Sequence, residues 1–171
     1  AGTIPDGAGV SDPYSVARTF YVTMDGSDAS SGTSLSSPLA TINEGLSKAA
    51  AVGESCIVVV HPGEYEVQPN TEIPTNCALY GYDLRVTKLR LPAGQEQNNM
   101  FLLNSGVKVR GLTFTGLQHE AEPDGWSEDY DYPPAKGFAF AFKPGAFITR
   151  SPYIADCSQL HDFTEDEMRL P

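Results

Sequence analysis

Residues 100–116 read MFLLNSGVKVRGLTFTG. Around the turn signal at Gly106 the residues alternate, with Val107 and Val109 set against Lys108 and Arg110, then Leu112 and Phe114 against Thr113 and Thr115. A period of two marks a β-strand with one buried face. Val107, Val109, Leu112 and Phe114 are therefore expected to point inward, and Lys108, Arg110, Thr113 and Thr115 toward water. Two other stretches carry the same phrase: CALYGYDLRV from Cys77 and FAFKPGAFITRSPYIADCS from Phe140. Setting Gly106 over Gly145 places Phe101 over Phe140, Leu103 over Phe142 and Val109 over Ile148. Leu79 then falls over Leu102, and Cys56 over Cys77. Once the surplus in QHEAEPDGWSEDYDYPPAKG, residues 118–137, is taken out, the offsets agree at roughly 21–23 residues. Short strands repeating at that step without intervening helices imply a solenoid, in which each coil stacks on the last around an apolar column.

The segment SSPLATINEGLSKAAAVGESCIVVVHPGEY, residues 36–65, explains how such a stack begins. Pro38 suits a first helical turn, Thr41 and Glu44 form a capping box, and Leu39, Ile42, Leu46 and Ala49 make one apolar stripe that Gly53 ends. A single amphipathic helix over about 39–52 is expected to plug the first open rung, where a bare sheet edge would recruit other chains. The remainder divides into an extended Gly/Pro-rich lead-in over 1–18 and the stacked body over 19–160, with its acidic loop at about 119–134. The acidic stretch 161–171 reads as a linker or the start of a further coil.

Composition excludes several functions. The chain has 171 residues, enough for one domain with a sizeable core, and a formal net charge of −11. That charge repels nucleic acid, so no nucleic-acid partner is expected. No apolar run is long enough to span a bilayer, and the opening AGTIPDGAGV lacks the features of a signal peptide. A start at Ala1 and a stop at Leu170 and Pro171 fit a mature or excised part of something longer. Cys56, Cys77 and Cys157 have no metal spacing and cannot all pair, so they are read as packing residues. Asp25 and Asp28, in the polar loop after the first strand, have the chemistry for calcium, but loop aspartates more often bond backbone. No cofactor and no metal site is expected.

The order YVTMDGSD, SSPLATINEGL, CIVVVHPGEY and VKVRGLTFTG resembles the opening of pectate-lyase-like right-handed parallel β-helix proteins. There a Gly-Asx loop, a capping helix, a strand and a PGxY turn precede the coils. The likeness covers roughly residues 20–115 and implies an all-β fold, a right-handed single-stranded parallel β-helix with an N-terminal capping helix. Domains with this opening occur in tailspikes, fibres and other structural proteins of tailed bacteriophages, usually as homotrimers. The resemblance thus implies a structural module of a virion, packed against other virion proteins and touching host surface polysaccharide. Two alternatives stay open: a polysaccharide depolymerase, lyase or glycoside hydrolase, with its catalytic coils mostly outside this segment, and a carbohydrate-binding module.

Catalysis on a solenoid needs paired carboxylates on outward positions of neighbouring coils, or a base beside groups that neutralise a uronate. The outward positions read here carry Lys88, Arg90, Lys108, Arg110 and Thr113, with no acid among them, so no catalytic residue is assigned. That cationic row is either a solvated strand face or a ladder for anionic sugar. In the acidic loop, Trp126, Tyr130, Tyr132 and Asp129 are candidates for glycan or partner contact, because an aromatic ring stacks on a sugar while a carboxylate takes its hydroxyls. His61 and His161 have no partner at catalytic spacing. Finally, if Phe101 and Leu103 face inward then Leu102 faces out, and the same alignment sets Val58, Leu79 and Ala141 beside it as an outward apolar ladder. Such a ladder is a candidate oligomer interface, closed by rotational symmetry in a trimer.

Overall fold

A computed structural model describes residues 16–117 and 137–159. Most of its regular structure is strand. The elements are β1 (Arg18–Val22), α1 (Ile42–Val52), β2 (Cys56–Val60), β3 (Gly63–Glu66), β4 (Thr71–Ile73), β5 (Ala78–Gly81), β6 (Thr87–Arg90), β7 (Phe101–Leu103), β8 (Lys108–Arg110), β9 (Thr113–Thr115), β10 (Phe140–Phe142), β11 (Tyr153–Ala155) and β12 (Ser158–Gln159). They form three sheets: a five-stranded one in the order β1-β2-β5-β8-β11, a four-stranded one in the order β12-β9-β6-β3, and a three-stranded one in the order β10-β7-β4. Every strand pair is parallel. From β2 to β12 the chain visits the five-, four- and three-stranded sheets in unbroken rotation. No closed barrel forms among the described residues, and no described helix is long and apolar enough to cross a membrane.

The sheets enclose one apolar core. Phe20, Val58, Leu79 and Val109 stand in one register line on successive strands of the five-stranded sheet, and each is 0–3% exposed. Leu89 and Phe114 do the same in the four-stranded sheet, and Ile73 and Leu103 in the three-stranded one. Phe101, Phe114 and Phe140 meet in the interior, the last two edge to face with ring centroids 4.9 Å apart. Such contacts add roughly 0.5–1.5 kcal/mol to the gain from burial. Val107, Val109, Leu112 and Phe114 all lie inside, as their alternation predicts.

The helix closes one end. Thr41 is its N-cap, with Oγ1 accepting from the Glu44 amide at 3.2 Å, and Gly53 ends it in the left-handed region at φ 72°. Ile42, Gly45, Leu46 and Ala49 are buried. Gly45 carries no Cβ to separate the helix from Val58 and Val22, whose methyls lie 3.0 and 3.3 Å from where that atom would stand. Leu39 is not helical: it bridges to Val22 and is fully buried. The helix therefore starts at Ile42 and not near residue 39. Asp28 fixes this entry, its Oδ1 accepting from the Ala40 and Thr41 amides at 3.0 and 2.9 Å and its Oδ2 from the Thr41 hydroxyl at 2.8 Å. The loop aspartate thus serves the helix terminus; among the described residues no cluster of three or more His, Cys, Asp or Glu comes together.

The register corrects three expectations. Val58 and Leu79 are core residues at 0% exposure, not members of an outward ladder. Leu102 and Ala141 do sit side by side on alternate, half-buried positions, but they belong to the three-stranded sheet, where Leu102 adjoins Glu72. The four residues never share a face, because Leu79 pairs with Val109 and not with Leu102. Val109 in turn pairs with Ile154 and not with Ile148. Thr113 keeps its outward register beside Lys88 yet is only 4% exposed, since its hydroxyl donates to the Leu84 carbonyl.

Candidate functional site

Outward positions of the four-stranded sheet are neutralised. Glu64 and Glu66 on β3 face Lys88 and Arg90 on β6 in register, each pair 3.7 Å apart. Acids therefore do stand on the outer face, next to cations. On the three-stranded sheet Glu72 Oε1 accepts from Lys143 Nζ at 2.8 Å and from Asn104 Nδ2 at 2.9 Å. Those hydrogen bonds, Lys143 first and Asn104 second, hold its carboxyl below the usual carboxylate range. Arg85 does the same for Asp83, whose pKa falls to about 2, and backbone amides lower Glu96. A glycosidase acid needs the opposite shift, toward retention of its proton. We assign no catalytic role among these carboxylates.

The outer face of the five-stranded sheet is different. Two register lines alternate with the buried one: Thr19, Ile57, Ala78, Lys108 and Tyr153, and beside it Tyr21, Val59, Tyr80, Arg110 and Ala155. Lys88 and Arg90 thus share no row with Lys108 and Arg110. An open groove of about 390 Å³ lies on this face, with Tyr80, Lys108, Arg150 and Tyr153 in its lining and Asn76 and Gly106 at a stacked turn. Asn76 is in the left-handed region at φ 57°, and a Cβ on Gly106 would stand 2.3 Å from its Oδ1. Gly106, itself at φ 69°, is what leaves room for that amide. The Gly106 amide donates to the Arg150 carbonyl at 2.9 Å, which stacks the next turn above. The Arg110 guanidinium lies 4.8 Å from the centre of the Tyr80 ring.

The remaining candidates are structural or lie elsewhere. His61 tilts against Tyr82 with ring centroids 5.8 Å apart, and its carbonyl accepts from the Tyr65 hydroxyl at 3.0 Å. Burial, with a smaller contribution from Asp25, pushes the Tyr65 pKa up to about 12, so the phenol stays a donor that pins the HPGEY turn. Cys56 and Cys77 are buried free thiols and Cys157 is half-buried. Burial raises all three, Cys77 to about 12, which keeps them protonated and unreactive. Trp126, Asp129, Tyr130, Tyr132 and His161 lie outside the described residues. Sequence reasoning missed the groove on the five-stranded sheet. Its signal was the pair of tyrosines Tyr80 and Tyr153, which only the strand register brings onto one surface. Comparison with protein-family models, with curated proteins and with solved structures finds no match.

Proposed function

We propose that the chain is a right-handed, single-stranded parallel β-helix serving as a stiff structural module of a tailed-bacteriophage particle, such as a tailspike, fibre or comparable appendage. The unbroken rotation through three parallel sheets supports the mechanical part of this reading. Strands paired only with partners from the preceding and following circuit leave little room for bending without loss of core contacts, and long-range parallel pairing makes folding slow. The placement in a virion rests on the resemblance of residues 20–115 to the opening of phage β-helix proteins. In this reading the chain is a homotrimer that packs on other virion proteins. With Val58 and Leu79 consigned to the core, its contact surface is sought on outward positions such as Ile57, Val59 and Tyr80.

Sedimentation equilibrium of the full chain tests the assembly: a particle of three 18.4 kDa copies is expected, dissociated by Val59→Glu. A monomer at every concentration would remove the trimer. Antibodies against the chain are expected to label an appendage of intact phage particles in electron micrographs, and labelling confined to host cells would remove the virion reading.

A further inference from the structure

Among the described residues the three-stranded sheet ends on an uncovered strand. β10 pairs with β7 and with no other described strand. The Lys143 amide donates to the Leu103 carbonyl at 3.0 Å, and by the alternation of a parallel ladder the amides of Phe140 and Phe142 point away from β7. Phe142 follows Ile73 and Leu103 on one inward register line. Those two are 0% and 4% exposed, whereas Phe142 is 60% exposed. An unpaired edge with an apolar inward side chain is a site for one more strand. A separate partner needs roughly 800 Å² on each side for a stable interface, far more than the end of a three-residue strand offers. A segment of the same chain loses no translational freedom on docking.

The order of the strands says which segment comes next. After each strand of the four-stranded sheet the chain enters the three-stranded one: β3 leads to β4, β6 to β7 and β9 to β10. The last described residue, Gln159 on β12, is in register with Phe114. Counted one step on, Leu160 corresponds in sequence to Thr115, and through it to Arg90 and Glu66. Residues 67–70 link β3 to β4, and residues 91–100 link β6 to β7. Links of the same lengths after Leu160 would open the next strand between residues 165 and 171. In β7 Phe101 and Leu103 are buried and Leu102 between them is half-buried; Phe140, Ala141 and Phe142 lie in register with these three. Of the triplets in EDEMRLP, residues 165–171, only Met168, Arg169 and Leu170 have apolar residues at both the first and the third place.

We infer that residues 168–170 add a fourth strand to the three-stranded sheet, parallel to β10, with Met168 on Phe140, Leu170 on Phe142, and Arg169 beside Ala141 on the outer face. The acidic stretch 161–167 is then the link that reaches this strand, on the surface where its carboxylates stay solvated. Residues 161–171 therefore start a further circuit and are not a linker. The inference rests on the rotation through the sheets and on neither the virion nor the trimer assignment.

Cysteine pairs test this register in the full chain, with Cys157→Ser to remove the half-buried thiol. Neighbouring strands stand about 4.8 Å apart, within the Cα separation that a disulfide spans. Phe142→Cys with Leu170→Cys is expected to close a disulfide within one chain under oxidised glutathione, which accepts the two electrons. Phe142→Cys with Arg169→Cys, whose side chains would face opposite sides of the sheet, is expected to close at least about tenfold more slowly. Mass spectrometry of the digested, unreduced chain reads both. Hydrogen exchange gives a second measurement on the chain without cysteine changes. The Phe142 amide is expected to be protected, and Leu170→Asp to speed its exchange about tenfold or more while the β8 amides stay unchanged. Equal rates in the two pairs, no cross-link in either, or an unprotected Phe142 amide would each overturn the inference. A disulfide that formed only between chains would assign the strand over β10 to a second copy, and the inference would fall with it.

Discussion

The register line that climbs the five-stranded sheet begins and ends differently. Phe20, Val58, Leu79, Val109 and Ile154 follow one another in register. The first four are at most 3% exposed, whereas Ile154 is 42% exposed. These side chains are all strongly apolar, so hydrophobicity does not explain the contrast. What stands over them does. At the start, α1 lays Gly45 on Val58 and Val22, and Asp28 fastens the chain just before the helix. At the other end no described strand pairs beyond β11, and Phe142, in register with Leu103, is 60% exposed. In a stack of this kind each circuit is buried by its neighbour, and a cap or a further circuit is what converts an apolar side chain into a core residue.

Truncating the line at two heights tests that contrast most severely. Leu79→Ala removes a side chain with 0% exposure and is expected to cost about 2–5 kcal/mol, transfer and cavity together. Ile154→Ala is expected to cost about 1–2 kcal/mol, because that side chain is only partly withdrawn from water. Urea unfolding of the full chain followed by circular dichroism supplies both values. Equal losses would mean that the two heights are equally covered, and the contrast would fall.

The cap comes next in size. Asp28→Ala abolishes the acceptors for the Ala40 and Thr41 amides and the Thr41 hydroxyl, and a loss of about 1–2 kcal/mol is expected from a cap of this kind. Hydrogen exchange sharpens the prediction. Amides of α1 are expected to exchange faster in the variant, while those of β8 and β9 keep their protection. Uniform acceleration would show that the helix and the distant circuits open as one unit.

The residues that obeyed the sequence pattern and those that did not differ in a simple way. Phe101 over Phe140 and Leu103 over Phe142 are true register pairs, and Cys56 over Cys77 has the spacing of Ile57 with Ala78. Each of those alignments compares a strand with its successor in the same sheet. Leu79 over Leu102 compares strands of different sheets, since alternation looks alike in all three and carries no label for which sheet a strand joins. The error moved Val58 and Leu79 to the surface. It also merged Lys88 and Arg90, which hold Glu64 and Glu66, with Lys108 and Arg110, which hold no described acid. Val109 over Ile148 failed because surplus length sits in the turn before β11 as well as in residues 118–136, and turn length leaves no trace in periodicity. The helix and its Thr41 and Gly53 caps were legible since their signals are local, but the capping box forms only in half, because the Thr41 amide donates to Asp28 and the Glu44 carboxylate pairs with Lys48. The groove was not legible, because Tyr80, Lys108 and Tyr153 come from successive circuits that are far apart in sequence and meet only through the strand register.

The smallest predicted effect concerns a contact that reaches across the stack. Glu72 on β4 accepts from Lys143, in the turn after β10, at 2.8 Å, and from Asn104, just after β7, at 2.9 Å, so it fastens the outermost turn to a circuit nearer the helix. Its carboxyl is held below the usual range, chiefly by Lys143. A lowered folded-state value means that the charged form is favoured by folding, so the contribution is fully present above the unfolded value of about 4.3 and is lost as pH falls through the lower folded value. Both partners are substantially exposed, 46% and 40%, so solvent screening limits the pair to about 0.2–1 kcal/mol. Glu72→Gln keeps the shape and removes the charge. Its stability deficit, measured by urea unfolding, is expected to lie in that range at neutral pH and to vanish in acid, where the native Glu72 is itself protonated. Hydrogen exchange would place the loss in β10 and its following turn and leave α1 untouched. A deficit that persisted unchanged in acid would assign the contribution of Glu72 to packing, and the charged link between the two ends of the stack would have to be given up.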